Sequence, residues 1–274
     1  MKSFWIRLRS SVILMAVTIA SMVLGGWVLW SVLLLVSLVG MFELCRVVSM
    51  EKTVPAVIGY LACIGYYVMI ALGVLKMQTL LAFLIGFFLI LMTSYVLCFP
   101  KHSFEKVNTV FFGFFYAAVM LSFIYQVRVM PSGAYLVWLI FVGSWGADTC
   151  AYCVGMLFGK HKLTGNLHIL SPNKSIEGCI GGVIGAALIG VIYGAVFAPH
   201  LSMVTDPVAG CALLGGASAV LSEVGDLAAS AIKRDHGIKD YGNLIPGHGG
   251  ILDRFDSIIF TAPVVFLLLN FLIQ

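Results

Sequence analysis

Polar residues along this chain gather into short clusters. Between the clusters, apolar residues run for about the 20 positions that a membrane-crossing helix needs. The first apolar run, 11–48, is too long for one span and contains Gly25-Gly26, which predicts a break into two helices. Further spans are predicted at 54–75, 79–98, 108–127, 134–159, 176–199, 207–232 and 257–274, nine in all. The runs are continuous rather than alternating, which excludes a porin-like barrel. Up to about residue 140 the spans are bulky, aromatic and nearly free of charge, whereas from Gly143 onward small and ionisable residues enter them. The expected organisation is an apolar helical part, 1–140, of about five spans, followed by a part, 141–274, of about four. The second part carries the chemistry and the polar loops 160–175 and 233–256.

Composition agrees with an all-α polytopic membrane protein. The chain is 61% hydrophobic and 10% charged, against roughly a quarter charged in a soluble domain. Sixteen Lys and Arg with twelve Asp and Glu cannot cover a water-soluble surface of this size. A net charge of +4 is too small to imply nucleic acid as a partner. Placing the N-terminus in the cytoplasm and alternating through nine spans puts all the basic residues except Lys76 and Arg128 on the cytoplasmic side. This is a strong positive-inside pattern, with the C-terminus on the opposite side. Lys2, Arg7 and Arg9 before the first apolar run imitate a signal peptide, but no cleavage site followed by polar chain appears, so a retained anchor is expected. The seven cysteines are scattered through or beside apolar runs and read as small hydrophobes, Cys150 and Cys153 included.

Carboxylates inside predicted spans carry the first functional signal. A charged side chain in hydrocarbon costs on the order of 3 kcal/mol even on the lenient insertion scale, so Asp148, Glu223 and Asp226 each need a partner, a cation or water. Ser222, Asp226 and Ser230 recur every four residues and share a helix face that leads to Lys233. Alone, such a stripe is also what a helix-packing seam looks like.

The loop that follows changes the weighting. Lys233 to Asp256 contains four basic residues, four aspartates, two histidines and five glycines, among them Pro246-Gly247-His248-Gly249-Gly250. Consecutive amides in glycine turns form anion-binding concavities, and Lys and Arg beside them suit phosphate oxygens. Aspartates near phosphate make electrostatic sense when divalent cations intervene, the usual arrangement being Mg²⁺ on one or two carboxylates plus substrate phosphates. The composition predicts phosphoryl or nucleotidyl chemistry at the cytoplasmic membrane face. A second cluster, Ser171-Pro172-Asn173-Lys174-Ser175, precedes the 176–199 span, where Ser171 or Ser175 is positioned to cap a helix whose N-terminus attracts anions.

Ser230 to Asp256 resembles the signature of phosphatidate cytidylyltransferases (CDP-diacylglycerol synthases), of the form S-x-h-K-R-x4-K-D-x-G-x2-h-P-x-H-G-G-h-x-D-R-h-D, with h apolar, and fills every fixed position. Gly225-Asp226-Leu227, Ser171 to Gly178 and Asp148 to Gly159 also resemble family elements, with Ser175 where Thr is common. The first half matches only in hydropathy and around Glu43 and Arg46. The resemblance implies transfer of CMP from CTP to phosphatidic acid, giving CDP-diacylglycerol and pyrophosphate, with Mg²⁺ and room for a second cation. It implies Asp226 and Asp253 as cation ligands, with Asp148, Glu223, Asp240 and Asp256 as further candidates. Lys233, Arg234, Lys239 and Arg254 are assigned to phosphates, and His248 to orienting a phosphate or shuttling a proton. Lys174, Ser175, Ser171, Ser222, Ser230, Gly249 and Gly250 are expected to line the substrates. The expected partners are CTP, phosphatidic acid and membrane lipid, in a bacterial inner membrane, with a homodimer as a further expectation.

Two rivals stand beside this reading. A cation-coupled transporter explains the buried carboxylates but not the dense basic, glycine-bearing loop. A phosphatidyltransferase consuming CDP-diacylglycerol would carry D-G-x2-A-R, which is absent.

Overall fold

The structure, a computed structural model, describes residues 2–273, without the side chains of Lys2, Ser3, Phe4, Ile6 and Arg7. Gln274, the expected end of the ninth span, and the Lys2 and Arg7 charges used for orientation therefore lie outside the described residues. Among the described residues there are nine long helices: α1 (Lys2–Leu24), α2 (Gly26–Val47), α3 (Val54–Ala71), α4 (Met77–Cys98), α5 (Phe104–Val129), α6 (Gly133–Phe158), α7 (Ile176–Phe197), α8 (Pro207–Asp235) and α9 (Leu252–Leu272). From α2 onward all eight are long and apolar enough to cross a membrane, and α1 contributes the shorter apolar stretch Leu8–Leu24. This is the polytopic helical architecture that the hydropathy predicts.

The α1–α2 break falls at Gly25, whose φ of 61° is left-handed backbone that glycine adopts without a Cβ clash. Helix α1 starts nine residues before the first apolar run and α3 ends four residues early, at Ala71; three further boundaries also differ from expectation. Helix α5 begins four residues earlier than predicted, with Ser103 at its N-cap position. Helix α8 runs three residues further and closes on a Schellman turn: Ile238 N–H donates to the Lys233 carbonyl (2.9 Å), Gly237 N–H donates to Arg234 (3.0 Å), and Gly237 has φ 66°. Helix α9 starts five residues early, so Asp253, Arg254 and Asp256 stand in its first turns rather than in a loop.

Two compact units divide the chain: Met1–Ser122 with Asp240–Arg254, and Phe123–Lys239 with Phe255–Gln274. The glycine-rich segment thus folds with the N-terminal helices, although the sequence pattern grouped it with the second half.

In the first unit, Tyr66, Tyr67 and Phe114 are fully buried. Their polar atoms are satisfied within the apolar interior, as burial requires: the Tyr67 hydroxyl lies 2.8 Å from Ser37 Oγ, the Tyr66 hydroxyl 3.0 Å from Ser122 Oγ, and Trp30 Nε1 donates to the Tyr67 carbonyl at 2.9 Å.

In the second unit, α6, α7 and α8 pack backbone against backbone. A Cβ on Gly190 would collide with the Cys211 carbonyl, and one on Gly215 with the Ala186 carbonyl. Small residues are what permit helices to approach this closely in lipid. Gly190→Leu is therefore expected to cost about 1–3 kcal/mol or more through overpacking, read as a lower melting temperature in detergent. Two capped helix starts fix the register: Asp206 accepts from Val208 and Ala209 N–H (3.0 and 3.1 Å), and Ser175 Oγ accepts from Gly178 N–H (3.2 Å). A π-helical turn at Val142–Gly146 sits just before Asp148, an irregularity frequent where a helix re-aims a functional side chain.

Candidate functional site: a carboxylate–lysine cluster and a carboxylate-filled loop

The second unit assembles its cluster from three elements. Helix α8 carries Glu223 and Asp226. Gly225 between them lets α8 close on α9, since a Cβ there would meet the Asp256 carbonyl and the Phe260 ring, both at 2.9 Å. The loop before α7 delivers Lys174, whose Nζ lies 2.5 Å from Glu223 Oε2 and 2.7 Å from Asp226 Oδ2. That loop is itself clipped to α7: Glu177 accepts from the Lys160 and His161 N–H groups and pairs with His161 Nδ1 at 2.5 Å, and Lys162 Nζ donates to the Asn173 carbonyl at 2.9 Å. Asp148 on α6 is exposed and lies within Coulombic reach of Lys174, Asp226 and Glu223.

Charge balance defines what this cluster can do. Burial by itself would lower the Lys174 pKa, but the Asp226 and Glu223 carboxylates outweigh it and hold the ammonium well above its ordinary value. Lys174 thus sets a single positive charge against two carboxylates in contact with it, with Asp148 in Coulombic reach. Glu223 Oε1 is buried with no hydrogen-bond partner, as is Ser222 Oγ. An unpartnered buried carboxylate oxygen is costly, and here it is an open donor for a cation. No three His, Cys, Asp or Glu side chains form a ready metal cage among the described residues. Mg²⁺ does not demand one, because two carboxylates completed by phosphates and water are its usual share of protein ligands. The donor set fits such an ion.

In the first unit, the segment from Asp240 to Arg254 is organised around carboxylates. Asp253, 7% exposed, accepts through Oδ2 from the Tyr241 N–H (2.8 Å) and the Gly250 N–H (2.9 Å). Asp240 is exposed, and a Cβ on Gly249, whose φ is 83°, would meet both Asp253 Oδ2 (2.8 Å) and Asp240 Cβ (3.3 Å). Arg46 on α2 donates to the Tyr241 carbonyl at 2.9 Å, and Glu43 on α2 accepts from the Ile251 and Leu252 N–H groups. Ser10 donates to the Pro246 carbonyl at 3.0 Å, and Ser11 Oγ lies 3.1 Å from His248 Nε2. His248 Nδ1 and Arg254 Nε are buried without a partner, which leaves the Arg254 N–H and one His248 ring nitrogen uncommitted.

The residues singled out in the sequence thus fall into two groups. Asp148, Lys174, Glu223 and Asp226 are brought together. Ser222 is buried beside them, while Ser171 supplies its carbonyl to the Lys174 N–H and Ser175 spends its hydroxyl on capping α7. Lys233, 9% exposed, and Ser230 lie along the last turns of α8, with Arg234 donating to the Ile238 carbonyl at 3.2 Å and Lys239 exposed. Asp256 accepts from the Ser257 N–H. Gly249, Gly250, His248, Asp240, Asp253 and Arg254 form the second group. Sequence reasoning passed over Glu43 as a site residue. The signal was there, an acid in an otherwise apolar span, and the rule that flags Asp148 flags it too.

The cytidylyltransferase family model matches residues 5–272, nearly the whole chain. The chain belongs to the cytidylyltransferase family. Proteins named phosphatidate cytidylyltransferase are similar to it along their length: 32% identity for that of Synechocystis sp., covering 95% of this chain and 94% of the relative. The relative from Staphylococcus haemolyticus is 32% identical over 96% and 98% of the two chains, and that from Bacillus subtilis 32% identical over 84% of each. As a member of that family, the protein is a nucleotidyltransferase enzyme and an integral membrane protein of bacterial type.

Proposed function

We propose that the protein transfers CMP from CTP to phosphatidic acid at the cytoplasmic face of the membrane, releasing pyrophosphate. A phosphate oxygen of the lipid attacks the α-phosphorus of CTP, and the bond from that phosphorus to the oxygen bridging to the β-phosphate breaks. No strong general base is required, because a phosphate monoester is already anionic near neutrality. The observation that carries the reading is the charge imbalance around Lys174: two acids share one ammonium, Asp148 stands within Coulombic reach, and a buried oxygen of Glu223 has no partner.

Asp226 and Glu223 would hold a divalent cation, which when bound neutralises triphosphate charge and stabilises the displacement. Phosphoryl transfer depends mostly on positioning and charge stabilisation, and the chain's basic residues are suited to both. Lys233, Arg234 and Lys239 bring positive charge to the end of α8, and Arg254 brings it to the start of α9, with one guanidinium nitrogen unpartnered. His248 orients a phosphate oxygen through the buried ring nitrogen that the fold leaves unpaired. Asp253 is proposed as a further acidic ligand on the strength of its place in the motif, with one oxygen already committed to the loop backbone.

Purified protein given labelled CTP, phosphatidic acid and Mg²⁺ is expected to form a labelled lipid and pyrophosphate in equal amounts, and EDTA is expected to stop both. Counterflow of a solute with no pyrophosphate release would overturn the reading in favour of transport.

A further inference from the structure

We propose that Glu43, buried near the C-terminal end of α2 and remote in sequence from the motif, is a positioning residue: its carboxylate fills the anion-binding turn at the start of α9 and thereby fixes the backbone that carries His248, Asp253 and Arg254. The inference rests on the proposed transfer reaction for its functional half, and on geometry alone for its structural half.

The first amides of any helix lack intrahelical acceptors and attract negative charge. Glycines just before such an end add further inward-pointing amides. The Gly249-Gly250 turn leading into α9 has this form, and in isolation it looks like a phosphate cradle. In the folded chain it is already full. Glu43 Oε1 accepts from the Ile251 N–H at 3.0 Å, and Oε2 from the Leu252 N–H at 2.9 Å. The next amide, that of Gly250, is taken by Asp253 together with that of Tyr241. Two acids of the protein thus stand where a ligand's oxygens would, and Glu43 is only 2% exposed.

The glycines of the motif fit this role. A Cβ at Gly250 would lie 2.5 and 2.6 Å from the two Glu43 oxygens, and one at Gly242 would lie 2.6 Å from Oε1. Both positions must lack a side chain for the loop to close over the carboxylate. Arg46, one helical turn beyond Glu43, holds the Tyr241 carbonyl from the same helix, so α2 grips the segment at both ends. Phosphate is then left to side chains rather than to these amides. The function of Glu43 is to set where those side chains start, and displacement of a reacting group by about 1 Å is worth roughly 100-fold in rate.

Glu43→Ala is the test, read in two independent ways on the full-length protein in detergent. Deuterium exchange at residues 250–252 is expected to rise, and turnover with CTP and phosphatidic acid to fall about 100-fold, with a lower melting temperature because two amides lose their acceptor. Added formate, a carboxylate small enough for the vacated space, is expected to restore both protection and turnover in a saturable way, whereas chloride at equal ionic strength does not. Glu43→Gln keeps the volume but only one acceptor oxygen, and is expected to fall between wild type and Glu43→Ala; it also serves if the alanine variant does not fold. Unchanged exchange at 250–252 in both variants overturns the proposal, as does lost turnover that formate leaves unrestored while exchange stays at the wild-type level. A wild-type protein that makes no labelled lipid, yet loses protection at 250–252 without Glu43, overturns the transfer reaction and leaves the carboxylate-filled turn standing.

Discussion

Asp226→Asn is expected to lower turnover by about 10²–10³-fold or more, the scale seen when one preorganised electrostatic contact to a developing charge is removed. The substitution keeps the volume and the helix but replaces an anion with a neutral amide. Asp226 Oδ2 is one of two carboxylate oxygens on Lys174 Nζ, and Glu223 still satisfies the ammonium at 2.5 Å, so the fold is retained. The half-saturating Mg²⁺ concentration is expected to rise at the same time. Near-normal turnover with unchanged Mg²⁺ dependence would remove Asp226 from the proposed cation-binding group.

Lys174→Met is expected to separate stability from catalysis. Removing the ammonium leaves Glu223 and Asp226 facing each other without compensation. For a fully buried pair the loss is about 3–5 kcal/mol and for an exposed one about 0–1 kcal/mol. With side-chain exposures of 23% for Lys174, 13% for Glu223 and 29% for Asp226, the effect falls between those limits. The variant should therefore melt markedly lower than wild type in EDTA and recover much of the difference in millimolar Mg²⁺, because the cation replaces the lost charge. Turnover should nevertheless stay reduced if, as expected from its place in the motif, Lys174 also supplies positive charge to phosphate. A melting temperature equally low with and without Mg²⁺ would show that no divalent cation reaches these carboxylates.

Both expectations draw on residues that stood out before any coordinates. Asp148, Glu223 and Asp226 were legible because each sits in a segment otherwise made of hydrocarbon, where ionisation must be compensated. Lys174 was legible only as a basic residue ahead of a helix. Its pairing with Glu223 and Asp226 spans about 50 residues of sequence, and no local pattern encodes a contact of that kind. The glycine-rich loop was read correctly as a place where backbone amides gather. The occupants of those amides were missed, because Glu43 and the amides it accepts from lie 208 and 209 positions apart.

The same division holds for the fold. Hydropathy determined the number of helices, their near-boundaries and the membrane setting, because the cost of leaving polar groups in lipid acts on each 20-residue segment independently of its neighbours. The motif from Ser230 to Asp256 determined the family for a similar reason, since its chemistry is written in contiguous residue types. Tertiary structure alone decided that Asp240–Arg254 folds with the N-terminal unit and that α9 starts at Leu252 rather than five residues later. In each case the deciding energy is a hydrogen bond or a close packing between groups far apart in the chain, and such partners become defined only once the helices have met.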